Sequence, residues 1–298
     1  MIYDLPKYVI RDTLTTSSRL IGYADDSTVY VKAKSLKSLI SELESLAINM
    51  INFCNENGLI INTQKTQILS NAKQEIKVKI GNEIVQSNKS ISLLGLEYDE
   101  NFSTAPYLKK LAREASTRAA LIRRLSFKMP NCLLKPIANG ILMGKILSAA
   151  PAAIPIKLSP SDKPFLTGIL EDIDKSIRAT ARSIANVNLK DHMRSETVLW
   201  KAGLRSLTEA VCETMACSIW KARKEMNPLG CIFKNKTSAR LTRSSSSNKL
   251  CQPVPGHPEV AANKLAQVWN LMNLDSAKTL GSARNLARQW FRETAKFI

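Results

Sequence analysis

Two adjacent carboxylates, Asp25 and Asp26, are the side chains of this sequence best suited to do chemistry. They lie between two short apolar runs, at 20–23 and 29–31, that are rich in β-forming residues. The pattern predicts a strand, a tight turn at the aspartates and a second strand. Aspartate is common in surface turns, so a solvated turn is one interpretation. The other is a seat for Mg²⁺, which prefers oxygen ligands and promotes phosphoryl transfer when two ions are held together.

A helix and several short strands are predicted to follow and to position these carboxylates. Apolar residues recur at helical spacing over 35–57, with Ser35 suited to the N-cap and Gly58 to a left-handed end. Short strands are predicted at 59–61 and 67–69. A hairpin with a Gly81-Asn82 turn is predicted over 75–85, and one further strand over 91–98. The first part of the chain is therefore predicted to be a sheet with one helix packed on it.

Two single residues in this part allow more than one interpretation. Lys65 lies in the predicted loop between the strands at 59–61 and 67–69, where a lone lysine is usually solvated. Gly95 lies within the predicted strand 91–98, where a missing side chain permits either a bulge or the close approach of another backbone.

Charge divides the chain into two unlike parts. The net charge is +18, but residues 1–100 carry 11 Lys and Arg against 12 Asp and Glu, whereas residues 101–298 carry 32 against 13. Such a basic excess favours a polyanionic partner, most simply nucleic acid. A basic surface that only keeps the protein dissolved is the alternative.

Helix is predicted from residue 104 onward. An apolar stripe from Tyr107 to Leu125 alternates with basic residues on the other faces, and the six candidates for phosphate contact are Lys109, Lys110, Arg113, Arg118, Arg123 and Arg124. A basic amphipathic helix suits a phosphate backbone or a membrane surface, and without an anchor we favour nucleic acid. Further helices are predicted over 165–188 and 190–227. Trp200 and Trp220 in the second are predicted to be core residues rather than base-stacking platforms.

The rest of the chain gives weaker signals. Residues 228–258 are rich in Pro, Ser, Lys and Arg and predict a linker, whereas residues 259–298 return to a helical pattern. The predicted segments are therefore 1–103, 104–227, 228–258 and 259–298. No signal peptide or membrane span is recognisable, so we expect an intracellular protein, in the nucleus or cytoplasm, without a membrane partner.

Six cysteines are scattered without a C-x-x-C pair. Free thiols are therefore expected. A zinc set is conceivable but has the wrong spacing. Its members would be Cys212, Cys217, Cys231, Cys251 and His257.

The order of these motifs resembles the reverse transcriptases of non-LTR (LINE-type) retrotransposons. Tyr23-Ala24-Asp25-Asp26 is similar to the catalytic motif of that family. Segments 58–66 and 93–99 are similar to its successive palm motifs, and residues 1–6 to the segment before the catalytic hairpin. The resemblance is specific over residues 1–125, looser over 126–230 and absent beyond.

The resemblance implies an α+β fold, with a partial antiparallel palm sheet and its packed helix followed by an all-α basic, thumb-like bundle. It implies Mg²⁺-dependent nucleotidyl transfer, with RNA template, DNA primer and dNTP as partners. Asp25 and Asp26 would bind the metal, and Lys65 would protonate the departing pyrophosphate. Leu94 and Gly95 would belong to the primer grip.

The family also uses an aspartate from an earlier palm strand and a fingers segment, and only 24 residues precede Asp25. Asp4 and Asp12 have no context resembling that strand. We therefore expect the C-terminal part of a reverse transcriptase that is inactive by itself, whether a gene-model fragment, a decayed element or a piece of a longer polyprotein. A non-enzymatic nucleic-acid-binding module is an alternative. A helical interaction protein with an accidental motif is another, which the ordered motifs disfavour.

Overall fold

The computed structural model describes residue 9 and residues 17–23, 25–72, 74–154, 157–158, 164–165, 168–224 and 270–295. These residues form an α+β structure in which helix predominates, as predicted. The chain divides into two compact units, Met1–Ser103 and Thr104–Ile298. The predicted linker 228–258 and the first part of the predicted helical segment 259–298 lie outside the described residues.

The first strands described in the first unit form the hairpin that carries the two aspartates. Strands β1 (Ser17–Tyr23) and β2 (Asp26–Lys32) are antiparallel, with Leu20 opposite Val29 and Tyr23 opposite Asp26. Tyr23 and Asp26 close the ladder, so only a tight connection joins the strands. The predicted strand, turn and strand are confirmed.

Helix α1 (Leu36–Glu56) holds this unit together. Ser35 and Ser38 form a reciprocal capping box at its start, and Gly58 follows its end with φ at +68°, so the predicted helix and both of its end signals are confirmed. Leu46 and Phe53 pack with Leu20, Val29 and Val31 of the first hairpin, among other apolar residues. A second row of apolar residues packs on the neighbouring sheet through Leu36, Leu39, Ile40, Leu43 and Ile51. The helix therefore joins two separate sheets.

The second sheet has the order β3-β5-β4, formed by β3 (Ile68–Leu69), β4 (Lys77–Ile80) and β5 (Glu83–Asn88). The predicted two-residue turn at 81–82 is confirmed, and Val78 and Ile80 point into the core while the lysines of β4 face solvent. Strands β3 and β5 are parallel. The expectation of one antiparallel palm sheet is therefore wrong for the described residues, whose strands form separate small sheets.

The single strand predicted over 91–98 is also wrong. The segment is a hairpin of β6 (Ser90–Leu93) and β7 (Leu96–Asp99), with Leu93 opposite Leu96. Leu94 and Gly95 form the turn with φ at +50° and +80°. Two consecutive positive φ angles match the twist of antiparallel strands, and this turn folds the apolar run back on itself.

The predicted strand at 59–61 is absent, since these described residues are irregular and lead into a 3₁₀ turn at Thr63–Lys65. Ile60 is 96% exposed. Residues with β-forming side chains make a strand only where a neighbouring strand pairs with their backbone N–H and C=O groups, and no described strand pairs with this segment.

The second unit is built mainly from helices. Helix α2 (Ala105–Leu125) is followed by α3 (Asn131–Ile137), a π-helical turn (Ala138–Met143), α4 (Gly144–Ser148) and α5 (Ala150–Ala153). Pro136 lies inside α3 and removes a backbone donor, and the Asn139 side chain donates to the Lys135 carbonyl at 3.0 Å. The helix thus continues through the proline with a locally wider turn.

The later helices are α6 (Ile169–Ala185), α7 (Ser195–Ala202), α8 (Leu207–Lys224) and α9 (Leu280–Ala295), with 3₁₀ turns at Leu189–Asp191 and Leu274–Ser276. Helix α6 packs on α2 and α7, and α8 packs on α5 and α9. The helical stretch predicted over 190–227 is found in its described part as two helices, because Gly203 with φ at +64° ends α7 before α8 begins at Leu207. The all-α expectation is also corrected by the short antiparallel strands β8 (Lys157–Leu158) and β9 (Pro164–Phe165).

Of the helices in the described ranges, none combines the length and the apolar character that crossing a membrane requires.

Candidate functional site

Asp25 and Asp26 lie at the tip of the first hairpin. Asp25 is in the connection, Asp26 is the first residue of β2, and both are exposed. Side chains alternate along a strand, so Asp26 lies on the face opposite Val29 and Val31, which pack against α1. Neither aspartate forms an ion pair with another residue of the described ranges. The hairpin therefore presents to solvent two carboxylates that no described residue pairs with.

The chemistry of these carboxylates fits Mg²⁺, which takes hard oxygen ligands. Among the described residues, no group of three or more His, Cys, Asp or Glu side chains lies close enough to hold a metal ion. A metal on Asp25 and Asp26 would take its other ligands from water, phosphate or further carboxylates. Two carboxylates on one hairpin would supply only part of such a coordination shell.

Lys65 ends the 3₁₀ turn Thr63–Lys65, where its backbone N–H donates to the Asn62 side chain at 3.2 Å. The Lys65 side chain is exposed and makes no ion pair with Asp25 or Asp26, which are also described. The neighbouring residues Ile60, Ile61 and Thr63 line a cavity of about 240 Å³ with the end of α1 and the β4–β5 turn. In the structure, Lys65 is therefore not paired with either Asp25 or Asp26.

Leu94 and Gly95 form the tip of the β6–β7 hairpin. A side chain built on Gly95 would meet no described residue within 4 Å, so the close backbone approach considered for this glycine is absent from the described part of the chain. Its φ of +80° is what requires glycine. Leu94 is exposed and has a φ of +50°, a conformation that costs a residue with a side chain about 1–2 kcal/mol.

Helix α2 presents a basic face. Of the six predicted residues, five are exposed: Lys109, Lys110, Arg113, Arg123 and Arg124. Helical spacing places Lys109, Arg113 and Arg124 along one strip about 22 Å long, with small residues between them. Residues 104–150 carry nine Lys and Arg but a single acidic residue, Glu114. This face offers a row of cations at the protein surface.

Arg118, the sixth predicted residue, has intramolecular partners. Its guanidinium donates to the Ile141 carbonyl at 2.5 Å and lies 3.8 Å from the Glu114 carboxylate. Lys145 lies 3.5 Å from the same carboxylate. Arg118 thus connects α2 to the π-helical turn.

Trp200 is not a core residue, contrary to the prediction, since it is 80% exposed. Trp220 is half-buried, and its indole N–H donates to the Ala277 carbonyl at 3.1 Å. Helix α7 buries Val198, Leu199 and Ala202 instead. The spacing of these three residues could have predicted the exposure of Trp200, because it places Trp200 outside the apolar stripe of the helix. Trp200, Lys135 and Lys201 line a cavity that the sequence did not predict.

An arginine cluster around Glu213 was also missed. The Glu213 carboxylate is 7% exposed and pairs with Arg205, with Arg284 at 3.0 Å and with Arg288 at 2.9 Å. Burial raises the pKa of Glu213, but hydrogen bonds from Arg288 and Arg205 outweigh burial and hold this pKa below its ordinary value. The ion pairs of Arg284 and Arg288 with Glu213 connect α9 to α8 and stabilise their packing.

The cysteines give no metal site in the described ranges. Cys54, Cys132 and Cys217 are free thiols, and burial raises the pKa of the Cys54 thiol. Cys212 is buried. The other members of the conceivable zinc set, Cys231, Cys251 and His257, lie outside the described residues.

Comparison with known proteins identifies no relative: no family model, no curated protein and no solved structure matches the chain. The functional inference therefore depends on the residues themselves.

Proposed function

We propose that the chain is part of an RNA-directed DNA polymerase of the non-LTR retrotransposon family. The observation that carries this proposal is the motif 23–26, whose two carboxylates are exposed at a hairpin tip. The other face of that hairpin packs on α1. Metal-dependent phosphoryl transfer requires carboxylates held in fixed positions, and packing on α1 supports the hairpin that carries this pair.

In the complete enzyme, Asp25 and Asp26 would hold Mg²⁺, which supplies the charge that stabilises the attacking and leaving oxygens. Lys65, on the turn after α1, would donate a proton to the departing pyrophosphate. Its exposed ammonium is not paired with either aspartate, which leaves its position open to change when substrate binds. The exposed Leu94 at the β6–β7 tip would contact the primer strand.

The second unit would bind the template and primer. Support comes from the basic excess after residue 100 and from the exposed row of cations on α2. Lysine and arginine side chains bind phosphates without reading sequence, which suits a polymerase that moves along its template.

Primer extension tests the catalytic proposal. The fingers and first palm segment of a related non-LTR reverse transcriptase are joined in front of residue 1, and extension of a DNA primer on RNA is measured with Mg²⁺. We expect extension to vanish with Asp25→Ala, to vanish largely with Asp26→Ala, and to fall but persist with Lys65→Ala. The chain without the added segment should not extend a primer, because two carboxylates on one hairpin provide only part of the ligands for two ions.

Glu83→Ala is the matched control, since Glu83 is an exposed carboxylate next to the β4–β5 turn of the same unit. This variant should extend primers like the unaltered protein. Extension that survives Asp25→Ala would show that the active site lies elsewhere.

A non-enzymatic nucleic-acid-binding module is the second candidate, favoured by the same exposed cations of α2. It predicts tight, salt-dependent binding that Asp25→Ala and Asp26→Ala leave unchanged, together with no extension by the joined protein under any metal. Binding and extension measured on one preparation separate the two functions.

A further inference from the structure

A surface cavity of about 380 Å³ lies between α3, the end of α6 and α7. Its lining includes Asn131, Cys132, Lys135, Ile184, Trp200 and Lys201. All of them belong to the second unit, which carries the basic excess. Ligand cavities in proteins start at about 300 Å³, so the space is sufficient for one nucleotide.

Trp200 forms an apolar wall of this cavity, and its indole is not packed in the core. It is 80% exposed, while its neighbours Val198 and Leu199 are buried and attach α7 to the core. The indole N–H has no acceptor among the described residues. A tryptophan is usually buried or provided with a partner, so an indole left open beside a cavity is available to a ligand.

Two cations flank the indole. Lys135 and Lys201 are exposed, and neither has an ion pair within the part of the chain that the structure describes. Lys135 runs across Gly203, where any side chain would collide with the lysine's terminal atoms. The ammonium group of Lys135 therefore lies beside Gly203 at the end of α7, in the same cavity as Trp200 and Lys201.

We propose that this cavity binds one unpaired nucleotide of a nucleic-acid strand, with the base stacked on Trp200 and its phosphates between Lys135 and Lys201. The inference rests on the proposed nucleic-acid binding of this unit and adds a defined contact to it. An aromatic face beside cations is how proteins bind single strands, because every base has a stacking face and every nucleotide a phosphate. A base inside a duplex is already stacked and would not enter.

Binding of the full chain to labelled single-stranded RNA and DNA and to a duplex of the same sequence tests the site. We expect Trp200→Ala to weaken single-strand binding about 5- to 150-fold, the range found for losing one base stack, and to leave duplex binding unchanged. Trp200→Phe should retain most of the affinity. Ile84→Ala is the control, since Ile84 is an exposed apolar residue of the other unit.

Salt dependence separates stacking from charge. Lys135→Ala with Lys201→Ala should lower the slope of log affinity against log salt for a single strand by about 1.4, whereas Trp200→Ala should leave that slope unchanged. Lys175→Ala is the charge control, because Lys175 is exposed but paired with Asp172. An oligonucleotide with 5-iodouridine should photocross-link to the peptide that contains Trp200.

The outcomes are distinct. Salt-dependent binding that Trp200→Ala does not weaken, with no cross-link at Trp200, would overturn the nucleotide site and leave the proposed nucleic-acid binding intact. Absence of binding by the unaltered chain would overturn both. A change of oligomeric state caused by Trp200→Ala in sedimentation would show that the indole packs against another protein chain, which also overturns the site.

Discussion

Glu213 is the residue whose replacement should most clearly destabilise the second unit. Its buried carboxylate is the shared partner of Arg205, Arg284 and Arg288. Removing one partner of a fully buried ion pair costs about 3–5 kcal/mol. The guanidinium groups here are partly exposed, so we expect Glu213→Gln to lower the free energy of unfolding by about 2 kcal/mol at pH 7. Urea unfolding measured by circular dichroism checks this.

Glu209, one turn earlier on α8, is the matched control and should behave in the opposite way. Burial raises the pKa of Glu209, and the charge of Glu213 raises it further, although Arg205 and Arg292 oppose both. Glu209→Gln removes a charge that is unfavourable at pH 7, so this variant should be as stable as the unaltered chain or more stable. Equal destabilisation by both substitutions would contradict the role given to Glu213.

The two glutamates also predict opposite pH dependences. The pKa of Glu213 is lower in the folded than in the unfolded chain, so its contribution to stability is present above about pH 4.3, the unfolded value, and is lost as pH falls through the folded pKa. The pKa of Glu209 is raised, so its contribution is present at low pH and is lost as pH rises through the folded pKa. Unfolding of the Glu213→Gln variant should therefore depend less steeply on pH below 4.3.

Single residues show where sequence reasoning succeeded and where it failed. Asp25 and Asp26 were predicted at a turn because local propensity alone decides such a position. Trp200 was predicted in the core because large apolar residues usually are buried, but its neighbours on α7 fill that role. The Glu213 cluster joins residues up to 75 positions apart in the chain, and no local pattern announces such a contact.

Among the elements, the β6–β7 hairpin has a turn in which both residues have a positive φ, although only one of them is glycine. Gly95 suits its φ of +80°, whereas Leu94 at +50° is strained. We expect Leu94→Asn to stabilise the hairpin by up to about 1 kcal/mol and Gly95→Ala to destabilise it by a similar amount. Hydrogen exchange of the β6 and β7 amides measures both. A Leu94→Asn protein with faster exchange would contradict the assignment of strain.

The basic face of α2 makes a separate prediction. Replacing Lys109, Arg113 and Arg124 by alanine should weaken duplex binding and reduce the slope of log affinity against log salt by about 3, one counterion for each lost phosphate contact. Binding titrations at several salt concentrations measure this. The control replaces Lys37, Lys77 and Lys79, three exposed lysines of the first unit, and should leave the slope nearly unchanged. Equal effects of both sets would mean that binding follows net charge alone.

Element prediction succeeded where the pattern was long and capped. Helix α1 has a full apolar period, a serine cap and a terminal glycine, so its bounds were predicted within one residue at each end. The strands at 59–61 and 91–98 were mispredicted because β-propensity does not specify a pairing partner. The first segment has no described partner, and the second pairs with itself. The parallel pairing of β3 with β5 likewise depends on the tertiary structure.

At the scale of the whole molecule, charge separates the two compact units. The first is nearly neutral and carries the carboxylate hairpin, while the second carries the excess of Lys and Arg. We expect ultraviolet cross-links between the full chain and bound RNA to fall mostly in residues 104–298, as read by mass spectrometry of the cross-linked peptides. Cross-links concentrated in residues 17–103 would contradict this division of roles.

The hairpin of β1 and β2 should tolerate substitution far better than a change of length. Leu20 pairs with Val29, and both face Leu46 and Phe53. Deleting or inserting a single residue between Asp26 and Val29 would put these two residues on the same face of β2, so that either Val29 and Val31 would face water or Asp26 would face α1. Variants with a single residue inserted or deleted within residues 26–31 should therefore lose the hairpin. Single alanine substitutions at these positions should be tolerated better, so a deletion scan would outline the hairpin more sharply than an alanine scan.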